Sequence, residues 1–187
     1  GNEKSLSKGN KFGKYFLIWR KNMIFVTVGT HEQTFNRLIQ CIDELKKTGT
    51  IKEDVIIQTG YSTYVPRQCK WKKMFLHDEM IENVRKARIG ITHGGPASFL
   101  MAVQMEKIPI VVPRQHKYGE HVNDHQLRFA RVIAERQNQI ILVEEVNRLK
   151  DVLLNYDIIE SKMHKKMISN NEKFNVEFER VIDRIFL

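Results

Sequence analysis

Three polar loops contain most of the residues that could do chemistry. Each follows a short apolar run, and their sequences are "GTHEQT" (29–34), "THGGPAS" (92–98) and "PRQHKYGEHVNDHQ" (113–126). Five of the seven histidines lie in them: His31, His93, His116, His121 and His125. Histidine side chains serve as acids, bases, hydrogen-bond donors and metal ligands. The loops therefore predict a polar site assembled from three separate parts of the chain.

The second loop has the composition of an anion site. Gly94 and Gly95 permit positive φ angles and a close approach of the backbone, and Pro96 suits the first turn of a helix. Ala97 and Ser98 would then offer free N–H groups at a helix N-terminus, which suits a phosphate or diphosphate. A plain strand-to-helix turn explains the same residues equally well. Neither a GxGxxG nor a GxxxxGK[ST] pattern occurs, so an NAD or ATP site lacks its fingerprint.

The first loop is a second candidate for an anion-facing turn. Gly29 and Thr30 follow an apolar run, and His31 and Glu32 would project beyond it. The alternative is local: Thr30 or Thr34 caps the next helix, and Glu32 is an acid in its first turn.

The third loop contains a possible metal pair. His121 and His125 are four residues apart and would share one face of a helix. HExxH is absent and no third ligand is evident, so we expect no metal site. The pair belongs either to a solvated amphipathic helix or to a polar helix start that binds phosphate and sugar hydroxyls.

A fourth stretch, "MFLHDEM" (74–80), is a candidate for binding a base. Phe75 and Leu76 after a strand could form an aromatic and aliphatic platform with free backbone groups. The alternative is that Phe75 is simply part of the core.

The elements that position these loops alternate between strands and helices. Apolar runs predict strands at 23–28, 54–58, 72–75, 89–92, 108–112 and 139–143, and helical periodicity predicts helices at 34–47, 78–87, 97–106, 120–136, 144–155 and 161–185. This order predicts an α/β fold, with a Rossmann-like parallel sheet of about six strands flanked by helices. Ligands bind such sheets beyond the carboxyl ends of the strands, where the three loops lie.

Composition limits the function classes. The 187 residues suffice for one domain, and no apolar run reaches the ~20 residues of a membrane helix. We expect no signal peptide, no disulfide between Cys41 and Cys69, and a reduced cytoplasmic protein. Of the net charge of +9, a basic tail at residues 1–22 contributes +5, which disfavours a nucleic-acid-binding surface on the domain that starts at Met23. That tail is either a plain leader or a segment that rests on anionic lipid.

In combination and in this order, three of the motifs resemble those of the MurG-like glycosyltransferases of family 28, in their C-terminal half. The motifs are "MIFVTVGTHEQTFNRL" (23–38), "ITHGGPASF" (91–99) and "IPIVVPRQHKYGEHVNDHQLRFA" (108–130). The chain is most similar to the small stand-alone form of that half, the PssE-type polysaccharide glycosyltransferase subunits and related capsular galactosyltransferase subunits.

The resemblance implies a fold equivalent to the C-terminal half of a GT-B glycosyltransferase, occupying residues 23–187. It also implies a UDP-sugar as substrate, with neither a cofactor nor an essential metal. By motif match, the donor-binding residues would be Gly29, Thr30, Phe75, Leu76, His93, Gly94, Gly95, Ser98, Glu120, His121, Asn123, His125 and Gln126. Within these, Phe75 and Leu76 would bind uracil, and Gly94, Gly95 and Ser98 the diphosphate.

One position departs from the family pattern. Many relatives carry a glutamate three residues after the serine, where it binds the ribose hydroxyls, whereas this chain has Met101. The resemblance then implies that ribose recognition shifts to Glu120 or Gln126.

A second implication concerns what this chain does not supply. A GT-B enzyme closes two domains over the donor, so we expect a membrane-anchored PssD-type subunit to hold an undecaprenyl-diphosphate-linked acceptor. The complex would lie at the inner face of the cytoplasmic membrane and transfer a hexose, galactose by resemblance, in polysaccharide synthesis. The general base would come from the partner or, in this chain, from Glu32 or His31. A non-catalytic nucleotide-binding or scaffold subunit is the alternative.

Overall fold

A computed structural model describes residues 23–163, and these form one parallel sheet with helices on both faces. The strands are β1 Met23–Thr27, β2 Asp54–Gln58, β3 Lys70–Lys72, β4 Ile89–Thr92, β5 Ile110–Val111 and β6 Ile141–Leu142. Their spatial order is β3-β2-β1-β4-β5-β6, and every pairing is parallel. The predicted α/β fold with a six-stranded parallel sheet is therefore confirmed.

Within residues 23–163, six helices connect and flank the strands: α1 Asn36–Lys47, α2 His77–Lys86, α3 Pro96–Gln104, α4 His125–Gln137, α5 Leu149–Leu154 and α6 Tyr156–Ser161. Single 3-10 turns occur at His116–Tyr118 and Val146–Arg148. The predicted tail at 1–22 lies outside the described residues, as does nearly all of the helix predicted at 161–185.

The main errors of the sequence-based boundaries lie at the sheet edge and in the third loop. β3 was expected at 72–75 and lies at Lys70–Lys72, because a fully exposed edge strand needs no apolar pattern. The helix expected at 120–136 begins only at His125. Glu120 is instead buried in the loop, where its carboxylate accepts the backbone N–H of Gln115 at 3.1 Å. The segment 144–155 is a 3-10 turn followed by α5 rather than one helix.

The core explains why the strands have continuous apolar sequences. Both faces of β1 are covered, so Ile24, Phe25 and Val26 are all buried. α1 packs Leu38, Ile39 and Ile42 into one cluster with the central strands. α3 and α4 meet on another cluster, where the rings of Phe99 and Phe129 are 5.8 Å apart. These contacts fix the carboxyl ends of the strands, from which the polar loops emerge.

The strand order places a topological switch point between β1 and β4. From β1 the chain builds outward to β2 and β3, then returns to the other side of β1 for β4, β5 and β6. The loops that follow β1 and β4 therefore diverge at one crevice, which is where open α/β sheets bind ligands. These are the loops that contain Gly29 and His93.

Candidate functional site

The imidazole of His93 lies between two glycines at the switch point. A β-carbon at Gly29 would lie 2.4 Å from its Nε2, and one at Gly95 would lie 2.2 Å from its Cε1. Gly94 is equally confined, since a β-carbon there would lie 2.9 Å from Cβ of Gln126. The expected close approach is thus present. Gly94 and Gly95 permit a positive φ but do not adopt one, and of these three glycines Gly29 alone has a positive φ (+76°). The glycines make room for side chains of the protein itself.

Hydrogen bonds fix the tautomer of His93. The backbone N–H of Gly95 donates to Nδ1 at 3.0 Å, so the proton of the neutral ring resides on Nε2. Nε2 lies 2.8 Å from Oγ of Ser98 and donates to it. Since Ser98 Oγ accepts from His93, its own hydroxyl proton remains available for a ligand at the N-terminus of α3.

His93 stays neutral at physiological pH. Burial, together with the nearby guanidinium of Arg114, lowers its pKa to about 4. Because a neutral ring accepts at Nδ1 and donates at Nε2, the contacts with Gly95 and Ser98 are compatible with each other. A protonated ring would lose the first of them.

His31 and His121 repeat the arrangement of His93. Nδ1 of His31 accepts the N–H of Gln33 at 3.2 Å, and Nδ1 of His121 accepts the N–H of Asn123 at 3.3 Å. In all three histidines the donor is the backbone N–H two residues later, so each neutral ring carries its proton on Nε2. The rings of His31 and His121 are 4.6 Å apart, which joins the first loop to the third. Burial, His31 and Arg114 lower the pKa of His121.

Arg114 connects the same two loops from inside the protein. Its side chain is 0% exposed and donates to backbone carbonyls of Val28 at 2.9 Å, Gln33 at 2.7 Å and Glu120 at 3.0 Å. Its Nε is buried and has no partner among residues 23–163. Burial lowers its pKa to about 10, opposed by Glu120, so the guanidinium remains charged at neutral pH. A buried positive charge thus lies near His93 and His121.

The carboxylate of Glu120 is buried and is bonded by other residues of the protein. Arg37 binds its carboxylate with two hydrogen bonds, from Nε at 2.8 Å and from Nη2 at 2.9 Å, and the side chain is buried. With the Gln115 N–H as a third donor, the carboxylate is well satisfied by the protein itself. The geometry therefore does not favour the ribose contact predicted for Glu120, and Gln126 stays as the candidate.

The other predicted residues of the third loop lie near His93 and His121. Gln126 Oε1 accepts the N–H of Arg114 at 3.3 Å and lies 3.4 Å from Nδ1 of His93. Asn123 Oδ1 accepts the N–H of His125 at 3.0 Å at the start of α4. Because α4 begins at His125, His121 and His125 do not share a helical face, and the geometry of the metal pair is not formed. Among the residues described, no group of three or more His, Cys, Asp or Glu could hold a metal ion.

Within the candidate base platform, the Phe75 ring and the N–H groups of Phe75 and Leu76 already contact other residues of the protein. Phe75 packs edge-to-face on Phe25 with ring centroids 5.8 Å apart, while the side chain of Leu76 is 74% exposed. The expectation of free backbone groups is wrong for both N–H groups. Phe75 N–H donates to Gln58 Oε1 at 3.0 Å, and Leu76 N–H donates to Glu79 Oε2 at 2.8 Å.

A chain of hydrogen bonds connects Phe75 with Gly29 at the switch point. Gln58 donates through Nε2 to Oγ1 of Thr27 at 3.1 Å, and the same hydroxyl oxygen accepts the N–H of Gly29 at 3.1 Å. Phe75 is therefore positioned relative to Gly29 through two buried side chains. Met101 contributes no polar group and packs at the margin of the cluster that contains Phe25 and Ala102.

The structure brings most of the predicted residues together at one edge of the sheet. Gly29, His31, His93, Gly95, Ser98, His121 and Gln126 are linked by the contacts above. Thr30 and Glu32 are exposed beside them. Sequence reasoning missed Arg37, Gln58 and Arg114. A charged residue directly after the apolar run "IPIVVP" was the available signal for Arg114.

Comparison with known proteins identifies the family. Residues 23–185 match the glycosyltransferase family 28 C-terminal domain. The chain belongs to this family. Human UDP-N-acetylglucosamine transferase subunit ALG13 (Homo sapiens) is 33% identical over 117 residues, covering 58% of this chain and 10% of the human protein.

Solved structures support the fold of the family 28 domain. A kitacinnamycin glycotransferase superimposes with a TM-score of 0.52 at 11% identity, covering 99% of this chain and 41% of that one. The calicheamicin glycosyltransferase CalG4 gives 0.53 at 11% identity, covering 88% and 44%. The parallel α/β sheet matches these GT-B glycosyltransferases. The chain spans a tenth of the human relative and about two fifths of either structure.

No helix within residues 23–163 is long and apolar enough to cross a membrane.

Proposed function

We propose that this family 28 domain is the donor-binding subunit of a UDP-sugar glycosyltransferase. The observation that carries the proposal is the set of three histidines at the switch point, each with Nδ1 occupied by a backbone N–H and the proton on Nε2. With Ser98 at the start of α3 and Arg114 near His93 and His121, they form an anion site made largely of N–H and O–H donors.

The chemistry of sugar transfer suits such a site. As the anomeric carbon–oxygen bond of the donor breaks, its electron pair moves onto the diphosphate, and negative charge grows there. Nε2–H groups of His31 and His121, the Ser98 hydroxyl and the N-terminus of α3 would stabilise that charge. His93 acts indirectly, because its Nε2–H donates to Ser98 and orients that hydroxyl. The resemblance predicts no essential metal, so UDP binding should be independent of divalent cations.

The acceptor hydroxyl must lose a proton as it attacks. Of the two candidate bases in this chain, His31 has its only lone-pair nitrogen occupied by the N–H of Gln33. Glu32 is exposed beside it and is the better candidate within this chain. A base on a partner subunit would leave Glu32 dispensable, so Glu32→Gln in the assembled enzyme distinguishes the two.

The finer proposal follows from the resemblance to the PssE type. The domain would work with a membrane-anchored PssD-type subunit that holds an undecaprenyl-diphosphate-linked acceptor, on the cytoplasmic side of the membrane. It would transfer a hexose, with galactose as the first donor to test, into a cell-surface polysaccharide. The human relative is itself named as a transferase subunit, which supports a two-subunit enzyme.

The first experiment is nucleotide binding to the full chain. Calorimetry should detect UDP binding, unchanged by EDTA or added Mg²⁺, with ADP as the control for the base and pyrophosphate as the control for the anion. Absence of heat and of any rise in melting temperature at millimolar UDP would overturn the proposal. A donor screen on the co-purified subunit pair then identifies the sugar.

A non-catalytic nucleotide-binding subunit is the second candidate. Met101 favours it, because a thioether offers the ribose no hydrogen bond and the site has lost the acid that the family pattern places there. Binding of UDP without turnover of any UDP-hexose in the full complex would select this candidate. For this second candidate, we expect little discrimination between UDP and 2′-deoxy-UDP in binding.

A further inference from the structure

One edge of the sheet carries exposed aromatic and basic side chains that the proposed site does not use. β3 is the terminal strand, and we call β3 with the loop before it and the residue after it (61–73) the basic edge. Its sequence, "YSTYVPRQCKWKK", has four basic residues and no acidic one. All three residues of β3 are exposed, including Trp71 at 46%, and Val65 is exposed at 57%.

Most of this positive charge is not neutralised by neighbours. Lys72 pairs with Glu79, with Nζ 2.8 Å from a carboxylate oxygen. Arg67, Lys70 and Lys73 form no ion pair with any residue in 23–163, and Nζ of Lys73 lies 4.9 Å from the centre of the Tyr61 ring. Three cations and one indole therefore share the basic edge, with no carboxylate partner for the cations among the described residues.

Side chains of α1 hold the loop before β3 in place by hydrogen bonds. Asp43 on α1 is buried, and its carboxylate accepts hydrogen bonds from Tyr64 Oη at 2.7 Å, Arg67 N at 3.0 Å and Gln68 N at 2.8 Å. Asn36 Oδ1 accepts the N–H groups of Thr63 at 2.9 Å and Tyr64 at 3.0 Å. These bonds hold the backbone inward and leave Val65 and the Arg67 side chain in solvent.

Protection of an open strand edge explains only part of this composition. Lysines on an edge strand prevent pairing with another chain, and Lys70 and Lys72 serve that purpose. The same logic disfavours an exposed Trp71 between them and an exposed Val65 nearby. Tryptophan beside lysine is instead typical of surfaces at the membrane interface, where the indole enters the headgroup layer and cations contact anionic lipid.

We propose that the basic edge docks on the surface of an anionic phospholipid bilayer. Trp71 and Val65 enter the headgroup region, and Arg67, Lys70 and Lys73 contact lipid phosphates. Successive side chains of β3 point to opposite faces, and a terminal strand laid against a flat surface can present both. This docking needs no nucleotide, so it stands or falls independently of the proposed UDP site.

Vesicle flotation of the full chain tests the charge contribution. Lys70→Glu/Lys73→Glu is compared with Arg136→Glu/Lys150→Glu, which makes the same charge change at exposed positions on α4 and α5. At about 1 kcal/mol per cation, the loss of two cations alone predicts at least roughly 30-fold weaker binding to phosphatidylcholine vesicles containing phosphatidylglycerol. The control pair should bind within about 3-fold of wild type. Equal losses in both pairs, or none in the first, would overturn the proposal.

Fluorescence tests the position of the indole. The chain has two tryptophans, Trp19 and Trp71, so Trp19→Phe leaves Trp71 as the single reporter. Its emission should shift to shorter wavelength and resist acrylamide quenching when anionic vesicles are added, and remain unchanged with phosphatidylcholine alone. An unshifted emission with vesicles, or a shift produced only by a soluble polyanion such as RNA, would overturn the proposal.

Discussion

Nε2 of His93 lies 2.8 Å from Oγ of Ser98, and the Nδ1 contact with Gly95 makes His93 the donor of that pair. The serine hydroxyl is therefore oriented as a donor before any ligand arrives. A buried neutral histidine thus defines the hydrogen-bonding role of a residue at the helix start.

Replacing Ser98 tests this relationship through binding. Ser98→Ala should weaken UDP binding about 10-fold, because one hydrogen bond to an anionic group is lost, worth about 1.5 kcal/mol. The change in unfolding free energy should stay near 1 kcal/mol. Calorimetry and urea unfolding measure the two, with Ser161→Ala at the end of α6 as the control. An unaltered UDP affinity in Ser98→Ala would remove this hydroxyl from the diphosphate site.

Gly29 and Gly49 form a matched pair for separating backbone strain from steric contact. Both have φ of +76°, but a β-carbon at Gly49 would have no atom within 4 Å, whereas one at Gly29 would meet His93. Gly49→Ala should cost about 1 kcal/mol from the left-handed conformation alone. Gly29→Ala should cost at least about 2 kcal/mol more and reduce UDP affinity, as His93 must move. Equal costs in urea unfolding would show that the ring is not confined as described.

The pKa of His93 predicts how stability depends on pH. Its folded value of about 4 lies below the ordinary 6.5, so the unfolded chain binds more protons between these values. Stability is thus full above pH 6.5 and is lost as the pH falls toward 4, by at most roughly 3 kcal/mol. Urea unfolding from pH 7.5 to 4.5 measures the loss.

His93→Gln supplies the control for that titration, since an amide can accept and donate without gaining a proton. The wild-type free energy of unfolding should fall more steeply with acid than that of His93→Gln, and His121 should add a residual slope to both. Parallel curves for the two proteins would contradict the assignment.

Substitution of Arg114 should lower the free energy of unfolding strongly. Arg114→Met leaves the carbonyls of Val28, Gln33 and Glu120 without their donor, and we expect a loss of about 3–5 kcal/mol. Arg114→Lys keeps the charge but not the planar set of donors. Its free energy of unfolding should therefore lie between those of the wild type and Arg114→Met. The exposed Arg136→Met is the control and should change stability by less than about 0.5 kcal/mol in urea unfolding. A loss below about 1 kcal/mol for Arg114→Met would show that solvent or other groups replace it.

The sequence predicted the sheet well because buried parallel strands need continuous apolar runs, as in β1 and β4. It failed where exposed or polar residues form regular structure, as in β3, and where a buried ion pair replaces a helical turn, as Glu120 with Arg37. The glycines next to His93 were correctly flagged, but their reason was not visible. Only three-dimensional contacts show that the ring of His93 fills the space beside Gly29 and Gly95, and that Gln126 and Pro113 lie against Gly94. Gln58 and Arg114 carried no periodic signal. Gln58 bonds the Thr27 hydroxyl and the Phe75 N–H, and Arg114 bonds backbone carbonyls, and most of these partners are distant in sequence.

The repeated bond from a backbone N–H to the histidine two residues earlier has a thermodynamic consequence. Each of the three rings is oriented by its own loop, so an arriving anion does not have to immobilise them. The rotamer entropy that binding usually costs has already been lost in folding. A site of this kind should change little between its empty and occupied forms, and its association rate should be set by diffusion and charge rather than by rearrangement.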